Sequence, residues 1–128
     1  MVILDTSVWI EFLRKNEKYF DPISQMLIKM DVIAVEVVFG ELLQGVKNRR
    51  EENIILDYWK HLPKIDKDTE IIISAGIYSQ KNKLIDKGIG LIDSIILMHG
   101  IKTHSKIWTL DTNFFKVIPS ELIYTANI

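Results

Sequence analysis

The sequence predicts an α/β domain with a mostly parallel central sheet, and three observations carry that expectation. Val2-Ile3-Leu4 is an apolar run too short for anything but a strand, and the stretch after it has apolar residues at 8, 9, 12 and 13, a helical stripe. The same change of period recurs along the chain, as expected for strands joined by right-handed helical crossovers. With 128 residues, 48% hydrophobic and 26% charged, the chain can bury one proper core but not two, so residues 1–128 read as a single domain.

The elements follow in order. Helix one is expected from about Thr6 to Lys15. Asn16 to Asp21 reads as a polar turn, and Pro22 suits the first turn of a second helix reaching about Met30. Asp31 interrupts it, and Val32 to Val35 is a short buried strand. A third helix carries Val37, Val38, Glu41, Leu42 and Gln44 and stops at Gly45. Lys47 to Arg50 is a basic connector, and Glu51 to Leu62 a fourth helix with Ile54, Ile55, Tyr58 and Trp59 on one face. Pro63 to Asp66 is extended, a candidate third strand. Helices are expected over Asp68 to Asp86 and from Asp93 to about His104. Ile107 to Leu110 is a strand, Asn113 to Val117 a short turn, and Leu122 to Ala126 a last strand.

Composition removes several classes of function. There is no cysteine, which excludes disulfide scaffolds, zinc ribbons and thiol catalysis and fits a reducing cytoplasm. No basic segment followed by an apolar one opens the chain, so no signal peptide is expected, and the densest apolar stretch, Ile89 to Met98, is far short of a membrane span. Sixteen Lys and Arg against 17 Asp and Glu give a net charge of −1, a balance that counts mildly against nucleic-acid binding. Sequestering several carboxylates around a cation would leave the remaining surface basic.

Three aspartates occupy similar stations. Asp5, Asp93 and Asp111 each follow an apolar residue and precede Ser or Thr. Singly, each has an ordinary explanation: Asp5 and Asp93 as helix N-caps, Asp111 as a turn residue, and Glu41 as a surface glutamate. Together, acids at strand ends and helix starts of one sheet converge at its carboxyl edge, where open α/β sheets bind ligands. Two carboxylates ~4 Å apart repel by about 4 kcal/mol at an effective dielectric of ~20. Such a cluster protonates or holds a cation. Oxygen-only donors select hard ions such as Mg²⁺ or Mn²⁺, which suit phosphoryl chemistry.

Ile3-Leu4-Asp5-Thr6-Ser7-Val8-Trp9-Ile10, then Glu36 to Gly45, Gly90-Leu91-Ile92-Asp93, and Trp108-Thr109-Leu110-Asp111 with Phe114 or Phe115, resemble the motifs of PIN-domain ribonucleases. The likeness is greatest to the VapC toxins of type II toxin–antitoxin pairs, and it covers nearly the whole chain in order. The resemblance implies a three-layer fold with a five-stranded parallel sheet and an acidic quartet at Asp5, Glu41, Asp93 and Asp111. It further implies Mg²⁺- or Mn²⁺-dependent cleavage of RNA phosphodiesters by an activated water, a homodimer, and an antitoxin that packs near the first helices. On this reading Asp5, Asp93 and Asp111 are the metal ligands. Glu41 ligates, holds a second ion or orients the water, and the hydroxyls of Thr6, Ser7 and Thr109 orient the carboxylates. One departure from the family pattern stands after the third aspartate. Small residues, often alanines, are usual there, whereas this chain has Ser94-Ile95-Ile96-Leu97-Met98-His99-Gly100.

The remaining features have plainer expectations. Arg14, Lys15, Lys47, Arg49 and Arg50 are candidate contacts to the RNA backbone or simply solvated charge. His99 is expected as a satisfied core or interface histidine, and His61 and His104 as helix-end residues. Trp9, Phe12, Tyr58 and Trp59 are core or partner surface rather than base-stacking platforms. Asp21, Asp31, Asp57, Asp66, Asp68 and Asp86 are expected to be solvated, and Glu11 and Glu36 to support the site or lie on the surface. No nucleophile elbow or phosphate-binding glycine loop is present. A receiver or phosphatase site is disfavoured because no Asp-x-Asp pair follows the first strand. The rival to an enzyme is a catalytically inactive PIN-like protein-interaction module.

Overall fold

The computed structural model describes residues 1–65 and 68–126. Its sheet has three parallel strands in the order β2-β1-β3, with β1 at Val2–Leu4, β2 at Val32–Ile33 and β3 at Lys106–Trp108. Seven helices surround it: α1 (Thr6–Leu13), α2 (Glu17–Ile28), α3 (Glu36–Gln44), α4 (Arg49–His61), α5 (Ile71–Lys81), α6 (Leu91–Thr103) and α7 (Thr112–Val117). β1 is central and wholly buried, as a strand covered on both faces must be, and Ile3, Leu4, Val32 and Ile107 form the middle of the core. The expected α/β class therefore holds.

Among the described residues, the expected third strand, Pro63 to Asp66, and the expected last strand, Leu122 to Ala126, are each reduced to a single bridge. Ala34 makes a single parallel bridge to Lys64 at one edge, and Ile107 makes another to Ile123 at the opposite edge. At the first edge, the Lys64 ammonium turns back to cap the carbonyls of Trp59 and Leu62. At the second, Pro119 and a 3₁₀ turn over Ser120–Leu122 use up the residues that a strand needs. Ile123 and the Tyr124 N–H, which donates to the Ile107 carbonyl at 3.0 Å, are what remains of the ladder. Asp66, part of the expected third strand, lies outside the described residues.

Helix boundaries differ where capping was misjudged. α2 begins at Glu17, because the Asn16 side chain caps it by accepting from the Lys18 N–H at 3.1 Å, and Pro22 lies inside the helix. The basic connector is shortened from the other side. Asn48 caps α4 through the Glu51 N–H at 2.9 Å, and Glu51 accepts from the Lys47 N–H at 2.8 Å, so Arg49 and Arg50 form the first turn. α5 is much shorter than expected, ending at Lys81 with Lys83 in the left-handed region and a 3₁₀ turn over Ile85–Lys87. Asn113 to Val117, expected as a turn, belongs to α7, which Asp111 caps.

Trp9 fixes α1 to its neighbours. Its ring lies 5.2 Å from Phe39, 5.6 Å from Tyr58 and 6.0 Å from Phe12, locking α1, α3 and α4 into one aromatic cluster. The aromatic residues thus serve the core, with Tyr58 and Trp59 at its margin. α6 is buried from Ser94 through Gly100 and packs close to β3 at Gly100. A methyl group there would meet Ile107 Cδ1 at 2.7 Å, so the close approach of α6 to β3 depends on this glycine. Among the described residues no helix is long and apolar enough to cross a membrane.

Candidate active site

The carboxyl ends of β1 and β3 are level, because the Asp5 N–H donates to the Trp108 carbonyl at 3.0 Å. Asp5 is buried and caps α1, its Oδ1 accepting from the Ser7 N–H at 2.7 Å and the Ser7 hydroxyl at 3.2 Å. Its Oδ2 accepts from the Thr109 hydroxyl. The Thr109 oxygen in turn accepts from the Asp111 N–H at 3.0 Å, and the Ser7 oxygen accepts from the Leu110 N–H at 3.1 Å. Two hydroxyls therefore staple the segment that carries Asp5 to the segment that carries Asp111.

Each acid reaches the sheet edge from a different element. Asp111 caps α7, accepting from the N–H groups of Asn113 at 2.9 Å and Phe114 at 3.2 Å. Glu41, midway along α3, accepts the Thr6 hydroxyl at 2.6 Å. Asp93 is the third residue of α6 rather than its cap, since Gly90 holds that position. The hydroxyl residues divide their work: Ser7 and Thr109 hold Asp5, and Thr6 holds Glu41.

Asp93 feels the charges of the other three acids. The Asp93 carboxyl is pushed up to about 6, first by burial and then by the charges of Asp5, Asp111 and Glu41. A raised carboxyl facing three other carboxylates is the signature of a site that takes up a proton or a cation. Among the described residues no three acidic or histidine side chains are gathered tightly enough to enclose an ion. The oxygen-only donor set fits a hard divalent cation.

The basic candidates separate in space. Arg14 and Lys47 line a groove of ≈ 390 Å³ between α1, α3 and α4 that ends at Glu41. Arg14 also pairs with Glu11 at 3.7 Å, and Glu11 accepts from the Asn16 side chain at 2.7 Å, so Glu11 supports the α1–α2 turn rather than the site. Lys15, Arg49 and Arg50 are exposed outside that groove.

Two expectations are overturned on the other side of α3. Asp68 is not solvated but pairs with Lys102 at 2.6 Å in a half-buried bridge, which holds its carboxyl below the usual range. His99 is in the core, 6% exposed, but it is not satisfied: among the described residues its Nδ1 has no hydrogen-bond partner. Burial pushes its pKa down, opposed by the charges of Asp68 and Glu36 and reinforced by that of Lys102. His61 behaves as expected, its Nδ1 lying 2.9 Å from the Asp57 carbonyl one turn earlier, and His104 ends α6 in the left-handed region. Sequence spacing gave no sign of the Asp68–Lys102 pair, whose members are 34 residues apart.

A parallel α/β domain with an acidic cluster at the carboxyl edge of its sheet is the class defined by these features. The chain belongs to the PIN domain family, whose model matches residues 2–118. Among solved structures it is similar to VapBC2 from Rickettsia felis bound to a DNA fragment from their promoter, with 24% identity, a TM-score of 0.70 and 96% of each chain covered. It is also similar to FitAcB from Neisseria gonorrhoeae, with 22% identity, a TM-score of 0.62 and 91% of each chain covered. Among curated proteins none matches this chain.

Proposed function

We propose that the protein is a Mg²⁺- or Mn²⁺-dependent endoribonuclease and the toxin of a type II toxin–antitoxin pair. The observation that carries the reading is the set of four carboxylates at one sheet edge, with Asp93 raised to about 6 by its burial and by the other three. Asp5, Asp93 and Asp111 would hold the ion, which when bound supplies charge neutralisation and a more acidic water for attack on the phosphodiester. Glu41, held by Thr6, ligates or accepts a proton from that water. Thr109 keeps Asp5 and the Asp111 backbone in register, and Ser7 fixes the rotamer of Asp5.

The partner reading rests on the groove ending at Glu41. Its apolar wall includes Ile10, Leu13, Leu42 and Ile54, and its rim carries Arg14 and Lys47. An antitoxin segment of amphipathic character would bury its apolar face there and direct a basic side chain to the acids. The two similar solved structures bear VapBC2 and FitAcB names, and they support this reading through the shared fold. A homodimer is proposed through the exposed isoleucines of α5, and the cytoplasm is the expected compartment for both chains.

The test is cleavage of RNA by the purified chain with Mg²⁺ or Mn²⁺, compared with Asp5→Asn and Asp93→Asn. Both variants are expected to stay folded by circular dichroism and to lose more activity than the roughly 10- to 100-fold that removal of an outer partner costs. Folded variants that cleave at the parental rate would return the acids to a capping role and favour the inactive interaction module.

A further inference from the structure

A cleft of ≈ 870 Å³ lies on the far side of α3 from the antitoxin groove and shares Glu41 with it. Ile92, the neighbour of Asp93, is also in its wall, so the cleft opens beside the acid cluster. Its size suits a nucleoside and far exceeds what an ion or a phosphate needs. Val37, Ile92 and Ile95 give it flat apolar walls, and Glu36, Gln44 and His99 bring polar groups to it.

The charge in the cleft argues against a phosphate. Glu36 and Glu41 are acidic, Asp68 is paired with Lys102, and the ammonium of Lys64 is committed to the carbonyls of Trp59 and Leu62. Burial lowers the pKa of His99. The imidazole of His99, the amide of Gln44 and the carboxylate of Glu36 together offer the donors and acceptors that the mixed edge of a base requires.

We propose that this cleft receives the unstacked base of the nucleotide next to the cleaved phosphodiester and so sets the base preference of cleavage. The inference deepens the nuclease reading, and its first test does not depend on catalysis. Nucleosides, used singly at up to about 10 mM with the full chain and without metal, are followed by the ¹⁵N resonances of the His99 ring. At least one nucleoside is expected to shift the His99 resonances saturably, and Gln44→Ala to weaken its binding about tenfold. Cleavage-site mapping on a random RNA pool is then expected to show relaxed base preference for Gln44→Ala at one position beside the cut. No His99 response to any nucleoside overturns the proposal, even if RNA is cleaved. A His99 response only to dilution, tracking dissociation of a dimer, also overturns it and assigns the cleft to a second copy. Nucleoside binding by a chain that cleaves no RNA removes the nuclease reading while leaving a base-binding cleft.

Discussion

Asp93 offers the sharpest behaviour of any single residue, because fold and charge act on it in the same direction. Its carboxyl titrates at about 6 in the folded chain against an ordinary 3.8, so the folded state holds that proton more tightly than the unfolded state does. The stabilising contribution is therefore complete below about pH 3.8 and is lost as pH rises through about 6. Asp93→Asn removes the titration and keeps the shape. In metal-free protein the variant is expected to match the parent near pH 4 and to exceed its stability near pH 7.5 by on the order of 1 kcal/mol, after discounting for solvent at a half-buried group. Denaturant melts in a chelator at the two pH values measure this difference, and a variant no more stable than the parent near pH 7.5 would refute it. Millimolar Mn²⁺ is expected to reverse the order by stabilising only the parent. The ordinary reading of Asp93 as a helix cap fails, because Gly90 holds the N-cap position of α6 and Asp93 lies in its first turn. Asp5 and Asp111 are caps as well as acids, so for them the ordinary and functional readings coexist.

At the scale of elements, the sequence was most informative where period and cap agreed. β1 and the start of α1 were legible because an apolar run meets Asp5, a residue that both ends a strand and caps a helix. α2 and α5 were misjudged because their ends depend on backbone geometry. Lys15, Met30, Lys83 and His104 adopt left-handed conformations at helix ends, where glycine would have announced the stop. The edge strands stay short for a different reason: the chain pairs once at Lys64, whose ammonium caps nearby carbonyls, and a 3₁₀ turn occupies the residues just before Ile123 pairs. α6 shows a constraint that no periodicity could reveal. It is buried nearly all round, and its approach to β3 depends on Gly100 lying against Ile107. Gly100→Ala would place a methyl 2.7 Å from Ile107 Cδ1 and 3.3 Å from the Ser105 carbonyl, with Ile107 itself fully buried and unable to yield. The overpacking is expected to outweigh alanine's helix propensity and cost about 1–3 kcal/mol in a urea melt. A neutral or stabilising result would mean that α6 can slide on the sheet.

At the scale of the whole molecule, the acidic edge lies between two concave surfaces, the groove of α1, α3 and α4 and the cleft of α3, α5 and α6, with Glu41 common to both. Neither surface was visible in the sequence, because each is assembled from residues far apart in the chain. A third surface is convex. Ile73 and Ile77 are one helical turn apart on α5, 64% and 51% exposed, and Ile85 beyond the end of that helix is 79% exposed. Scattered exposed isoleucines need no explanation, but a stripe of this kind on a helix that packs against α6 with its other face marks an interaction surface. A second copy of the chain is the proposed occupant, and a symmetric interface would place two α5 helices together. A stable dimer buries roughly 1,200–2,000 Å² in total, more than one helix face supplies, so residues around Leu91 must take part. Sedimentation equilibrium of the parent at about 10 μM is expected to give twice the chain mass. Ile73→Asp with Ile77→Asp places two charges at the centre of the contact, and each buried unpaired charge costs several kcal/mol, enough to raise the dissociation constant at least 100-fold. The double variant is therefore expected to sediment as a monomer with an unchanged circular dichroism spectrum. A parent that is already monomeric, or a variant that still dimerises, would free this face of the proposed contact.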